Sequence, residues 1–336
     1  MNIQNLIEWR EKMEIIQNIL KFLDSKMVKP EPYGAFHLAF FAASILAAVL
    51  LCFLWKKGII KDVKRVVFIT ALIVIILEIY KLINFSFGYT DGITFNFQWY
   101  AFPWQFCSTP MIVGLLAGMS KGKIHHNLCA YLATYALFAG TAVMFYPTTV
   151  FVDTIGINIQ TMICHGSMIT VAIFLYFTGY VKAEKGTILK ALPIFIIAVS
   201  IALSFNEIAY QTGLLETHTF NMFFFNPHLD SDLPVYSLIH NALREWLFPL
   251  GFIISLILYI GGFTAAAFIM LLIPVGIKKF ADTDFDADYA EEDAARNEME
   301  IKHMEKQIED LQKKIAEKRP VEAKVEDSDS GEETPV

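Results

Sequence analysis

Two residues able to do covalent chemistry stand in apolar surroundings: Cys107 in "FPWQFCSTP" (102–110) and His165 in "MICHGSM" (162–168). Thiol plus imidazole is the composition of a cysteine nucleophile with its base. A free thiol is little ionised at neutral pH, and a histidine that takes its proton restores its reactivity. The product of attack on an ester would be an acyl-cysteine, released to an alcohol or to water. Negative charge developing on the carbonyl oxygen needs hydrogen-bond donors. The Trp104 indole, the Gln105 amide and N–H groups freed around Pro103 and Pro110 are the nearby candidates. The two prolines interrupt a helix and loosen the backbone around the thiol. Spacing alone leaves a second account open, in which the cysteine is a small packing residue and the histidine a hydrogen-bonded core residue.

The elements that must position these groups are membrane helices. Of 336 residues, 55% are hydrophobic and 14% aromatic, too apolar for one soluble domain. Runs near 35–55, 66–84, 98–119, 126–146, 158–180, 189–209 and 244–274 are long enough to cross a bilayer. The expected architecture is therefore all-α, a polytopic bundle of about seven transmembrane helices, occupying 31–280. The first span is expected to act as its own insertion signal. The last is long, and Gly261–Gly262 offers a break in it.

Residues 3–23 place Ile3, Leu6, Ile7, Ile16, Ile19, Leu20 and Leu23 near one stripe, an amphipathic helix within 1–30 suited to the bilayer surface or the bundle. Beyond residue 281 there are 19 acidic and 8 basic residues, or −11, against −7 for the whole chain, so residues 1–280 carry about +4. Within that acidic tail Ile301, Met304, Ile308, Leu311 and Ile315 follow an a/d pattern, predicting a short coiled-coil-like helix near 291–319 before a disordered end. It covers too few heptads for more than weak self-association or a protein partner.

Lysines and arginines fall in the odd-numbered connections and after the last span, while the even-numbered connections, near 85–97, 147–157 and 210–243, have none. The positive-inside rule then predicts a multi-pass protein of the cell membrane with its N-terminus outside and C-terminus cytoplasmic. At 1.5 Å rise per residue, Cys107 and His165 both fall roughly 10–15 Å below the outer surface. Glu78 and Lys81 occupy the outer half of the second span, three residues apart and able to pair. Asn158 and Thr161 share a stripe with His165, Asn206 and Glu207 end the sixth span, and Arg244 begins the seventh. Intramembrane polar groups are costly, so their convergence on one depth marks a functional region. Cys164 points about 100° away from His165 and is not expected to replace Cys107; Cys52 and Cys129 are expected to pack. His125 and His126 are expected at a solvated membrane boundary. No CxxC or metal-ligand spacing is present, and no cofactor or nucleic-acid partner is expected.

"FPWQFCS" (102–108), "YPT…TMICHGSM" (146–168) and "FNMFFFNP" (220–227) resemble the motifs of the YwaF-like integral membrane proteins, a family that extends to animal transmembrane protein 164. The resemblance covers about 35–275. It implies a cysteine acyltransferase moving fatty acyl chains between phospholipids, on a fold related to intramembrane lipid-ester hydrolases that use threonine and histidine. It further implies Cys107 as nucleophile and His165 as its partner, with Asn221 in a polar family motif of unassigned role. Membrane lipids would be the substrate. Two other classes compete: a transporter or channel lined by Glu78, Lys81, Glu207 and Arg244, and a seven-span scaffold or receptor displaying the acidic tail.

Overall fold

A computed structural model of the chain describes residues 3–90, 92–148, 150–213, 219–281, 301–302 and 304–314. Lipid offers no partner to a backbone amide, so the apolar runs close their hydrogen bonds internally as helices. These are α1 (Ile3–Leu23), α2 (Ala35–Lys56), α3 (Val63–Ser86), α4 (Thr109–Met119), α5 (Gly122–Phe145), α6 (Ile155–Phe177), α7 (Lys185–Thr212), α8 (Tyr236–Leu247) and α9 (Leu250–Ala281). Asp62 starts α3, its carboxylate accepting from the Arg65 amide at 3.2 Å. Two-residue strands, β1 (Phe87–Gly88) and β2 (Thr94–Phe95), close a hairpin after α3. The chain is an all-α polytopic bundle in which six helices, α2, α3, α5, α6, α7 and α9, are long and apolar enough to cross a membrane.

Two of the expected spans are built differently. Over 98–119 the chain makes a short turn at Trp99–Ala101, runs without helix through 102–108, and becomes helical only as the 11 residues of α4. Pro103 cannot supply an amide to a helix, whereas Pro110 stands in the first turn of α4, where a missing N–H costs nothing. The irregular stretch satisfies itself locally. The Ser108 hydroxyl accepts from the Gln105 amide at 2.8 Å, and the Thr109 hydroxyl donates to the Gln105 carbonyl at 2.8 Å. Such backbone is tolerated at membrane depth because protein encloses it.

The last span does not begin at 244. Pro249 cannot continue α8, so the chain breaks there and α9 starts at Leu250, while Gly261 and Gly262 lie within an unbroken helix. The amphipathic α8 leaves Leu238 and Trp246 exposed, as suits a helix lying along a membrane surface.

α5 and α6 form the buried centre, and the other long helices pack around them. Between helices in lipid the hydrophobic effect gives little, and close approach of small residues does the work. A Cβ on Gly140 of α5 would meet the His165 carbonyl oxygen at 2.6 Å, and one on Gly166 would overlap the Ser44 hydroxyl of α2. These two glycines let α6 sit tightly between its neighbours. Within α5, residues Leu132–Ala136 widen into a π-turn, entirely buried.

At one end of the bundle the segment after α1 is laced to the start of α6. The Met27 amide donates to the Asp153 carbonyl at 2.7 Å and the Ile155 amide to the Ser25 carbonyl at 3.0 Å. Leu20 is buried while Ile15, Ile16, Ile19 and Phe22 stay exposed, leaving α1 an apolar face for a bilayer surface. The chain after Asp282 is a separate unit, helical over 301–302 and 304–314, with Ile301, Met304, Ile308 and Leu311 exposed. Ile315 and the rest of the acidic tail lie outside the described residues.

Candidate functional site

The stretch 102–108 carries Cys107 into the bundle beside α6. Cys107 as a residue is half-buried, whereas Cys52, Cys129 and Cys164 are buried. The Cys164 thiol of α6 faces the Cys107 carbonyl oxygen at 3.8 Å, which joins the two elements one residue from His165. Cys164 thus touches Cys107 through its backbone, a contact that sequence spacing did not foreshadow.

His165 is 7% exposed. Its Nδ1 lies 2.7 Å from the Thr161 carbonyl oxygen, an acceptor only, so Nδ1 carries the proton and donates. Nε2 is then a bare lone pair, and it is buried with no hydrogen-bond partner. Buried ring nitrogens are normally satisfied, so an orphan of this kind needs a reason. It has no hydrogen bond to the Cys107 sulfur.

Glu78 and Lys81 of α3 complete the cluster. The Lys81 ammonium is 2.5 Å from Glu78 Oε1, with Glu78 only 3% exposed. Gln160 of α6 donates through Nε2 to Glu78 Oε2 at 2.9 Å, tying the pair to the helix that carries His165. Both charges are within electrostatic range of the Cys107 sulfur, and Lys81 is within range of His165 as well. Gln160 escaped the sequence analysis; a polar amide five residues before the histidine in an apolar span was the available signal. Tyr131 also escaped. It is fully buried at the head of the π-turn, its hydroxyl has no partner, and it lies within electrostatic range of Cys107. Nothing in its local sequence distinguishes it from a packing aromatic.

The remaining expected residues hold the scaffold. The Trp104 indole N–H donates to the Ala198 carbonyl at 3.1 Å. The Gln105 amide is used twice on the loop after α7: Nε2 donates to the Asn221 carbonyl at 3.0 Å, and the Phe223 N–H donates to Oε1 at 2.8 Å. Both side-chain donors expected for an oxyanion are thus engaged elsewhere. Asn221 braces that loop, its Nδ2 donating to the Asp230 carbonyl and its Oδ1 accepting from the Asn226 amide. Asn158 does not line the site: it clamps Val152, donating to its carbonyl at 2.8 Å and accepting from its amide at 2.9 Å. Glu207 pairs with His228 at 2.8 Å, and Arg244 pairs with Asp230. Neither reaches the cluster.

A second thiol and imidazole do meet, at the other end of the bundle, with Cys129 Sγ 3.7 Å from His125 Nε2. His125 is 3% exposed, not solvated as expected. Its two nitrogens are taken by the Ala117 carbonyl and the Tyr180 hydroxyl, and Cys129 is fully buried. This pair has no bare base and no access for a substrate. It is packing. Among the described residues no group of three or more His, Cys, Asp or Glu could hold a metal ion.

A sequence model of the TMEM164 family matches residues 32–274, which takes in all six long apolar helices and the stretch bearing Cys107. No match is found among curated proteins or among solved structures. With more than two thirds of its length matched by that one model, the chain belongs to the TMEM164 family.

Proposed function

We propose that this protein is an intramembrane lipid acyltransferase or ester hydrolase that works through an acyl thioester on Cys107. One observation carries the proposal: a buried imidazole whose Nδ1 is pinned to a carbonyl and whose Nε2 is bare, one residue from the helix contact to the half-buried cysteine. The first step requires the Cys107 thiol to come within reach of His165 Nε2. Nε2 takes the thiol proton, the sulfur attacks the ester carbonyl carbon, the C–O bond to the glycerol breaks, and the imidazolium returns the proton to the leaving oxygen. In the second step Nε2 takes the proton of an acceptor hydroxyl, whose oxygen attacks the thioester carbonyl. The C–S bond breaks and the thiol is regenerated. A lysophospholipid acceptor gives transfer; water gives hydrolysis.

Lys81 and the unpartnered Tyr131 hydroxyl are the groups suited to receive the negative charge on the carbonyl oxygen. The Glu78–Gln160 bond would hold Lys81 in place. The lysine-rich odd connections support a site in the outer half of the bilayer, close to lipid ester groups. A transporter path loses two of its four expected residues, because Glu207 and Arg244 are paired away from the cluster.

The test is purified protein in vesicles containing a phospholipid with an isotope-labelled acyl chain and an unlabelled lysophospholipid. Labelled chains should appear on the acceptor or as free acid with the wild type and not with Cys107→Ser. Equal turnover by the two proteins would remove the proposal.

A further inference from the structure

Between Ala101 and Thr109, the main-chain amides of Phe106 and Cys107 donate to no partner among the described residues. Every other amide there is taken. Ala101 and Phe102 donate to the carbonyls of Gln98 and Trp99, and Trp104 donates to that of Phe102. Gln105 donates to the Ser108 hydroxyl, and Pro103 has no N–H. Ser108 and Thr109 both donate to the Gln105 carbonyl, at 3.0 and 2.9 Å. That carbonyl is the first acceptor of α4, so Phe106 and Cys107 stand in the opening turn, whose amides find no acceptor within a helix. Such amides point out of the helix at its positive end. Two side chains of this region are unpaired as well. The Tyr131 hydroxyl is fully buried, without a partner and within electrostatic range of Cys107. His165 Nε2 is bare, next in sequence to the Cys164 thiol that faces the Cys107 carbonyl. Buried polar groups are normally paired, and these four are complementary to one ligand. The three donors suit a carbonyl oxygen, and the lone pair suits the proton that moves when the sulfur attacks.

We infer that the amides of Phe106 and Cys107 seat the carbonyl oxygen of the acyl group and hold its negative charge during transfer. The inference rests on the acyl-cysteine reading and deepens it, adding two main-chain donors to Lys81 and Tyr131. Successive amides in a turn form a concavity suited to an anionic oxygen. The Cys107 N–H shares its Cα with the reacting side chain, so an acyl group on the sulfur brings its oxygen within reach of that donor. As the C–S bond forms, the carbonyl electron pair moves onto the oxygen facing the two N–H groups. It returns as the C–O bond to the glycerol breaks, and the imidazolium gives its proton to the leaving oxygen. Donors help most when they are fixed beforehand. The turn is gripped on both sides: the Gln105 amide bonds the loop after α7 twice, and the Phe106 ring packs edge-on against Phe263 of α9 with centroids 4.7 Å apart.

The experiment uses full-length protein in vesicles of phosphatidylcholine labelled with carbon-13 at the acyl carbonyl. Infrared difference spectra read the carbonyl stretch of the acyl group on Cys107, and quenched samples give its rate of formation by mass spectrometry. In the wild type the stretch should lie below that of the same acyl thioester free in the vesicle, because donors polarise the carbonyl. Phe106→phenyllactate keeps the ring and exchanges the amide N–H for an ester oxygen. It should slow acylation about 100-fold to 1,000-fold and move the stretch toward that of the free thioester. If that variant does not fold, Phe106→Pro is compared with Phe106→Ala. Both lose the ring and only the proline loses the N–H, in a first turn where helices accept proline. Acylation should be slower in Phe106→Pro by the same factor. Equal rates and an unmoved stretch in folded variants, with Cys107 still acylated, would overturn the amide seat and leave the acyl-cysteine standing. A wild-type Cys107 that never carries a chain would overturn both.

Discussion

Gly140 and His165 meet backbone to backbone: a Cβ on the glycine would stand 2.6 Å from the histidine's carbonyl oxygen. Helices α5 and α6 thus close to contact at the very turn that aims the imidazole. Gly140→Ala must push that turn away, an overpacking that costs about 1–3 kcal/mol. Thermal unfolding in detergent should register the loss. Acyl transfer should fall further than the fraction of folded protein does, because His165 moves as well.

Tyr131→Phe separates a structural hydroxyl from a functional one. A buried hydroxyl without a partner stabilises nothing, and its removal should leave stability unchanged or slightly raised. If the hydroxyl receives the oxyanion, turnover should drop about 100-fold to 1,000-fold with folding intact. Full activity in Tyr131→Phe would leave the role to Lys81 and the main-chain amides.

Gln105→Leu should free the loop after α7. The substitution strands the Asn221 carbonyl and the Phe223 amide, each left unpaired at a cost of about 1–3 kcal/mol. Limited proteolysis should then cut within 219–235 faster than in wild type. Cleavage at the wild-type rate would mean that Asn206, whose side chain also bonds Met222, holds the loop unaided.

The long helices were legible because lipid forces every apolar run to satisfy its own backbone, although length alone counted a seventh span over 98–119, where only the 11 residues of α4 are α-helical. Glu78 and Lys81 were legible for the related reason that charges in such runs are conspicuous. The contrast is with Trp104, Gln105, Asn158, Glu207 and Arg244, whose polarity was visible but whose partners lie away from the cluster, on helix α7, on the loop after it or on the segment before α6. Tyr131 and Gln160 stayed hidden because their importance lies in a missing partner and in a neighbour on another helix. The break at Pro249 was written in the chain, yet the glycine pair at 261–262 drew attention to the wrong turn. Glycine in a lipid-embedded helix is harmless, while proline removes an amide.

Outside the membrane, pH should act on the segment that joins α1 to α6. Burial works to raise the Asp24 carboxyl, but bonds from Lys26, Tyr89 and Thr154 outweigh it and hold the group below its ordinary 3.8. Its contribution is therefore present above pH 3.8 and lost as pH falls through the depressed value. The bond to Asp24 raises the Lys26 ammonium above its ordinary 10.5, against an opposing effect of burial. That contribution is full below pH 10.5 and lost as pH climbs through the raised value. Protection of the Met27 and Ile155 amides from hydrogen exchange, relative to the intrinsic rate at each pH, should be high and flat between these limits and fall beyond each. Asp24→Asn should lower it at neutral pH as well, and a wild-type profile in that variant would dismiss Asp24 as the tie.

Cys129→Ala should leave activity unchanged, since its histidine has no free nitrogen and no substrate can reach the pair. An activity lost with Cys129 and kept without Cys107 would move the chemistry to the opposite end of the bundle.

The most direct measurement is peptide mass spectrometry of protein quenched in acid during turnover on phospholipid vesicles. The account predicts a hydroxylamine-sensitive acyl group on the peptide containing Cys107, absent from Cys107→Ser and formed at least about 100-fold more slowly in His165→Ala. An acyl group found on another cysteine, or turnover with no adduct on Cys107 and no loss in Cys107→Ser, would contradict it.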